Sequence, residues 1–459
     1  MSMFSSSSMS RIMMPPSGRC IAHWWSATGK ARRSSAPPER PRHIMIAAIY
    51  PVRSLLLSIF MLMAGSGFLA TLISLRLERA GSGTMAIGIV ATAYFGGLIV
   101  GSLRAADVVR RVGHIRAFAA FVALLSASTL SYALLTHPLF WMVLRLIDGV
   151  CVAGVFVCLE SWLNDRAEPQ MRGSVLAAYM VALYSGQAIG QLLLGASGSL
   201  PAIPFQIASI LISLSIIPLC LTRSSAPAPV EASAFSIRSL LIASPLGAGG
   251  AVATGLMLGA FYGLAAVHVR RLGLDLTETA RFMMIVILGG VALQWPLGRL
   301  SDRHDRRRVI VGCFAVAATV SVALALSQDG MLLMALGALF GGLSFALYPL
   351  CVAHCNDRLL ETERVAASGR LVLLYSIGAA LGPLLGATFM TAAGTGGLFL
   401  FIALCAGLAM MIGLWRQSAS EPVPDNYQQD FQIMPRTTPM ASLLDPNSAD
   451  ETPPEGQTT

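Results

Sequence analysis

The 459-residue sequence predicts an all-α integral membrane protein of twelve transmembrane helices, arranged as two pseudo-symmetric halves of six. Three observations predict this. The chain is 55% hydrophobic and only 12% charged, with a mean hydropathy of +0.68, too apolar for an ordinary soluble surface. Apolar runs of about 20 residues, long enough to cross a bilayer as a helix, recur along it. Segments of the first half reappear in the second at a nearly constant separation.

In chain order, residues 1–44 come first. They are rich in serine and arginine with one acid, Glu39, and predict a disordered basic extension, or a stretch that precedes a true start at Met45. Six spans follow at 54–77, 84–106, 115–136, 138–163, 172–196 and 202–222, forming a first half at 45–222. Residues 223–242, with Pro, Ser and a change of charge, read as a cytoplasmic linker. The second half, 243–415, holds spans at 243–268, 279–300, 309–327, 331–354, 366–391 and 395–415. Lipid offers no partner to a backbone N–H or C=O, so each run must satisfy its own hydrogen bonds as a helix. The connectors at 137, 197–201, 328–330 and 392–394 are short enough to force antiparallel neighbours. The polar, proline-bearing tail at 416–459 is expected to be disordered and cytoplasmic.

Charge sets the expected orientation. From residue 45 onward the even-numbered connectors and the two ends carry nineteen arginines, whereas the odd connectors carry five: Arg76, Arg79, Arg270, Arg271 and Arg281. Basic residues are retained on the cytoplasmic side, which places both termini there in a multi-pass inner (plasma) membrane protein. The net charge of +9 is therefore topological. No soluble domain gathers the arginines into a patch, so nucleic acid is not an expected partner. Of eight cysteines most lie inside apolar runs, and no CxxC pair occurs. Cys351, His354 and Cys355 share a helical stretch, but a fourth ligand is not evident, and no metal or cofactor is expected. No GxxxxGK[ST] loop is present, so ATP is not the expected direct energy source, and no catalytic chemistry is indicated.

The repeat is legible in detail. LYSGQAIGQLLLGA at 183–196 matches LYSIGAALGPLLGA at 374–387 in eight of fourteen positions. Asn164-Asp165-Arg166 matches Asn356-Asp357-Arg358, and GGLIVGSL at 96–103 parallels GGVALQWPLGRL at 289–300. Parallel repeats about an axis along the membrane normal are a transporter design, with the site between the halves. Glycines four apart (Gly255, Gly259, Gly263; Gly378, Gly382, Gly386; Gly97, Gly101; Gly337, Gly341) predict close helix contacts. Pro383 should bend the eleventh span.

The most charged stretch is GRLSDRHDRRR at 298–308. Its Gly298, Asp302, Arg303, Arg306 and Arg307 resemble the GxxxDRxxRR signature of the major facilitator superfamily, and PVRSLLLSIFML (51–62), ESWLND (160–165) and YPLCVAHCND (348–357) resemble its YcaD-like branch. The resemblance covers 45–415 and implies a cytoplasmic latch that closes and opens as the halves rock. The copy departs from the signature at Asp305, where a glycine is usual. In the first half Ala105 stands where the aspartate belongs. A drug–proton antiporter of this superfamily would carry a proline at Gln191, so that class is weakened.

Candidate pathway residues are polar groups at membrane depth. Arg145 and Asp148, at i and i+3 in the fourth span, can pair, and charges there are retained only at a cost of about 3 kcal/mol. Tyr184, Gln187 and Gln191 form one stripe on the fifth span. Tyr262, Gln294 and Tyr375 are further candidates, and Glu160 joins the latch. The expected function is secondary active transport of a small organic solute by alternating access, coupled to protons, with uptake and efflux both open. The expected partners are solute, protons and lipid, and the expected state is a monomer. A transporter-like sensor that binds a ligand without net flux is the alternative, suggested by the long tail.

Overall fold

Every apolar run folds as a helix, and most continue beyond the run. In the computed structural model, residues 50–168, 171–196, 201–221, 236–419, 428–429 and 431–438 are described. The spans are α1 Arg53–Arg79, α2 Thr84–Val112, α3 His114–Ser131, α4 Pro138–Arg166, α5 Arg172–Gly195, α6 Ile203–Cys220, α7 Pro245–Arg271, α8 Leu276–Arg303, α9 Arg306–Leu326, α10 Gly330–Asn356, α11 Glu363–Ala393 and α12 Gly397–Ser418. No strand occurs among the described residues. Hydropathy registers only the part of a helix that lies in hydrocarbon, so α2, α4 and α8 each run on through charged residues past the predicted end. The start of α8 is fixed by a capping box: the Asp275 side chain accepts from the Glu278 N–H, and the Glu278 side chain accepts from the Asp275 N–H.

Helix pairing repeats with a shift of six. In the first half α1 packs on α5 and α6, α2 on α4, and α3 on α4 and α6. In the second, α7 packs on α11 and α12, α8 on α10, and α9 on α10 and α12. The sequence repeat is thus a repeat of packing. The halves meet where α2 lies on α11, α5 on α8, and α7 on α1 and α2. The connections α2–α3, α4–α5, α8–α9 and α10–α11 share one arginine-rich end of the molecule.

The two long glycine ladders are opposite sides of one contact. Gly255 and Gly259 of α7 face the carbonyls of Tyr375 and Ala379, while Gly378 and Gly382 of α11 face those of Val252 and Leu256. A Cβ at any of the four would collide with backbone, so these helices touch main chain to main chain. Between the halves, Thr92 donates to the Ala380 carbonyl at 2.9 Å, beside Pro383.

Residues 1–44 and 223–235 lie outside the described residues. The rest of the linker includes a short helix, Ile237–Ala243, that buries Leu240. The disordered tail expected at 416–459 is not what its described part forms. Helix α12 runs through 416–418, and residues 428–429 and 431–438 lie against the bundle with Met434 and Thr438 buried. The polar composition concealed a short apolar run, Phe431-Gln432-Ile433-Met434, which has a hydrophobic place to go.

Candidate functional site

A cavity of about 200 Å³ lies between the halves, walled by α1, α2, α4, α5, α7 and α11. Six of the eight pathway residues named above line it: Arg145, Asp148, Tyr184, Gln187, Tyr262 and Tyr375. Tyr94 of α2 joins them, and so do Pro435, Arg436 and Thr437 of the tail.

Arg145 and Asp148 are buried one turn apart on α4, with their closest N and O atoms 3.9 Å apart. That is a loose pair rather than a two-pronged bridge. Each has a second partner. The Tyr132 hydroxyl donates to Asp148 Oδ2 at 2.6 Å, and the Arg145 guanidinium sits 4.7 Å from the centre of the Tyr94 ring. Arg145 Nε and Asp148 Oδ1 have no hydrogen-bond partner. A carboxylate with one unused oxygen beside a cavity has the capacity to take a proton or a donor from a solute.

Gln191 and Gln294 do not line the cavity. Helix α1 breaks between Ser66 and Leu69, and Gln191 Nε2 donates to the Gly67 carbonyl there at 3.0 Å. Pro349, inside α10, has no N–H for the Phe345 carbonyl four residues earlier, and Gln294 Nε2 donates to that carbonyl at 3.4 Å. Both amides satisfy main-chain oxygens that an irregular helix leaves bare, which in lipid must find a partner inside the protein. The stripe on α5 is therefore split between cavity and backbone.

At the arginine-rich end a network forms around Arg306, whose side chain is 2% exposed. Its guanidinium bridges Asp302 at 2.9 Å and Asp357 at 2.8 Å, and donates to Ser301 Oγ at 2.8 Å. Burial, the largest influence, pushes the Asp357 carboxyl above its ordinary range, against the pull of Arg306 and of the Gln429 N–H. Arg307 turns instead to Asp305 at 2.9 Å. Burial would raise that carboxyl too, but hydrogen bonds from the Arg307 side chain and backbone outweigh it and hold Asp305 below its ordinary range. Arg303 is exposed. Asp302, Arg306 and Asp357 all belong to the second half, so the network by itself does not join the halves. Glu160 stands apart from it: its carboxylate accepts from Tyr179 at 2.7 Å and from the hydroxyls of Thr437 and Thr438.

Gly298 is close to the tail rather than to a helix, since a Cβ there would meet the Phe431 ring. The tail spans the mouth of the cavity. The Phe431 N–H donates to Asp302, the Gln429 N–H to Asp357, and Arg306 donates to the Gln429 carbonyl at 2.7 Å. Sequence reasoning missed this segment, along with Tyr94, Tyr132 and Asp357. The signal was thin: Arg436 is the only basic residue after Arg416, and it follows a short apolar run at 431–434. At the opposite end Arg271 of α7 pairs with Glu78 of α1 at 2.7 Å and donates to Thr84 of α2 at 3.0 Å, tying the halves together.

A sequence model described as Major Facilitator Superfamily matches residues 55–303 and 248–444. The chain is 31% identical over 380 residues to the MFS-type transporter YcaD of Salmonella enteritidis PT4 (strain P125109), covering 82% of this chain and 97% of that protein. It is 28% identical over 390 residues to the MFS-type transporter Ent638_1421 of Enterobacter sp. (strain 638), with the same coverage. Among solved structures, the nucleoside transporter NupG (D323A mutant) superposes with a TM-score of 0.67 at 13% identity, over 81% of this chain and 100% of that one. A bacterial homologue of the human lysosomal transporter Spinster, in an inward-facing and occupied conformation, gives 0.65 at 15% identity over 81% and 97%. The D-xylose-proton symporter gives 0.61 at 13% over 82% and 99%. These likenesses agree with the twelve-helix, two-half fold.

Proposed function

We propose that this chain, which belongs to the major facilitator superfamily, carries a small organic solute across the membrane by alternating access, with Asp148 as the proton-accepting group. The observation that supports this most directly is the buried, loosely paired carboxylate of Asp148 beside a cavity between two pseudo-symmetric halves. A charge held at that depth costs about 3 kcal/mol on insertion scales, and a role in moving charge accounts for keeping it. Arg145 offers the carboxylate a counter-charge 3.9 Å away, and Tyr184, Gln187, Tyr262 and Tyr375 offer hydroxyls and an amide to a polar solute. Similarity in fold to a D-xylose-proton symporter and a nucleoside transporter is consistent with this reading. The arginine bias supports a cytoplasmic arginine-rich end with both termini on that side, and the state proposed is a monomer.

On this reading the opposite end is shut by the Glu78–Arg271 clasp and the α2–α11 contact, while the cytoplasmic mouth has opened far enough to admit the tail. The latch is the Asp302–Arg306–Asp357 network, with Gly298, Arg303 and Arg307 around it and Glu160 facing it from the first half. It joins the halves when the mouth closes.

Proteoliposomes with an imposed pH gradient test the proposal. Solute-driven proton movement should follow addition of the transported solute, and Asp148→Asn should abolish gradient-driven accumulation while sparing solute exchange. Undiminished coupled transport by Asp148→Asn, or by Arg145→Ala at equal protein level, would sink the assignment. The tail lodged in the cavity favours a second reading, a membrane sensor that binds its ligand and signals through that tail. A sensor would bind solute and show no flux under any gradient.

A further inference from the structure

One charged group in the cavity belongs to no spanning helix. The guanidinium carbon of Arg436 lies 4.6 Å from the centre of the Phe345 ring and 5.7 Å from that of Tyr375, and Arg436 Nη2 donates to the Tyr184 hydroxyl at 3.3 Å. These walls come from α10, α11 and α5, so both halves contribute. The rings form a continuous surface: Phe345 lies 5.6 Å from Tyr184 and 6.4 Å from Tyr262 between ring centres. Among the described residues no carboxylate pairs with Arg436, and its Nη1 has no hydrogen-bond partner. The buried cation is held by aromatic faces and a phenol oxygen, an arrangement that favours a weakly hydrated, delocalised charge.

The segment that brings Arg436 there is held at three places: Gln429 on Asp357 and Arg306, Phe431 on Asp302 and against Gly298, and Thr437 with Thr438 on Glu160. It therefore engages three acidic side chains of the mouth while filling the cage above them.

We propose that Tyr184, Phe345 and Tyr375 form a subsite for organic cations of the guanidinium or ammonium type, and that the tail segment 431–438 is a tethered competitor whose Arg436 occupies it. The proposal rests on the transport reading for what the cavity is for, and it names a chemical class for the solute. A competitor attached to the same chain acts at high effective concentration. A free cation therefore binds with an affinity lowered in proportion to the time the cage is filled.

The test is calorimetric titration of the purified full chain with phenylguanidinium, and with phenylurea as a neutral compound of the same shape. R436A should bind phenylguanidinium about ten-fold more tightly than the unaltered chain, as expected if the tail fills the cage nine-tenths of the time. R436Q, which keeps a polar hydrogen-bonding side chain but removes the charge, should show the same gain. Phenylurea should gain nothing, and adding F345L to R436A should remove most of the improvement. Equal affinities in the unaltered, R436A and R436Q chains would overturn the proposal, as would an equal gain for phenylurea, which would mean only an emptier cavity. The transport reading fails separately. Tighter cation binding by R436A without flux of any solute refutes transport and upholds the subsite. Coupled flux of a neutral solute with no cation gain does the reverse.

Discussion

The two copies of the α2–α3 and α8–α9 loop region have the same helices around them and opposite chemistry inside. In the second half Gly298, Asp302 and Arg306 are spaced by four, and Arg306 reaches Asp357 beyond α10. In the first half the same spacing gives Gly101, Ala105 and Val109, with Ala105 2% and Val109 7% exposed. An apolar contact has taken the place of an ion network. One acid and one base of that loop region, Asp107 and Arg110, pair on the outside with 48% and 65% of their side chains exposed, and Asp165, the counterpart of Asp357, is exposed as well. The glycines differ in the same sense: Gly101 abuts the Val150 carbonyl and Ala153 of α4, whereas Gly298 abuts Phe431 of the tail. The packing repeats between the halves, while the buried ion network lies in the second alone. The first-half loop is held by apolar contacts, and the second by the ion network that the proposed latch would have to break.

That contrast is open to direct attack. The largest effect should come from Arg306→Ala, which leaves Asp357, 2% exposed, buried without its cation. A loss of about 3–5 kcal/mol is expected, read from the unfolding midpoint in mild detergent. Ala105→Asp should cost about 2–3 kcal/mol, because no arginine waits at 109. Adding Val109→Arg should recover about 1–3 kcal/mol of it if the first half can still house the network, as a double-mutant cycle would report.

Acid titration sharpens the comparison on a smaller scale. The Asp357 carboxyl is raised, so between the ordinary carboxylate pKa and its folded value the folded chain holds a proton that the unfolded chain has released. Stability therefore falls as pH rises through that interval and is level above it. Asp357→Asn should flatten this part of a stability–pH profile. Asp305 has the opposite sign: its stabilisation is full above the ordinary carboxylate value and is lost as pH falls through the lowered one. The smallest effect belongs to Asp107→Ala, within about 0.5 kcal/mol, since an exposed i,i+3 pair is worth little. A cost as large as that of Arg306→Ala would mean that the first-half loop depends on its surface ion pair as the second depends on its buried network.

Much of the architecture was legible because lipid leaves a helix few options. Length, apolar composition and the 191-residue echo suffice for twelve spans in two halves, and the glycine ladders announced close contact. Which ladder met which was not legible, since Gly255 and Gly378 are joined only by the folded chain. The cavity residues were found where a charge or tyrosine interrupted an apolar run. Gln191 and Gln294 look no different by that criterion, because their partners are main-chain oxygens bared by a break in α1 and by Pro349, and a bare carbonyl has no letter in the sequence. Arg436 escaped for a third reason: a polar tail looks the same whether it stays in water or folds back.

The two amides carry a mechanical implication. Gln191 belongs to α5 and Gln294 to α8, the helices that lie against each other across the boundary between halves, and each is bonded to an irregular point in a neighbour of its own half. Sliding of α5 past α8 therefore drags the broken stretch of α1 and the proline turn of α10 along as passengers. In the proposed alternating-access cycle, compliance would then reside along the seam, while each six-helix block would travel as a stiff body.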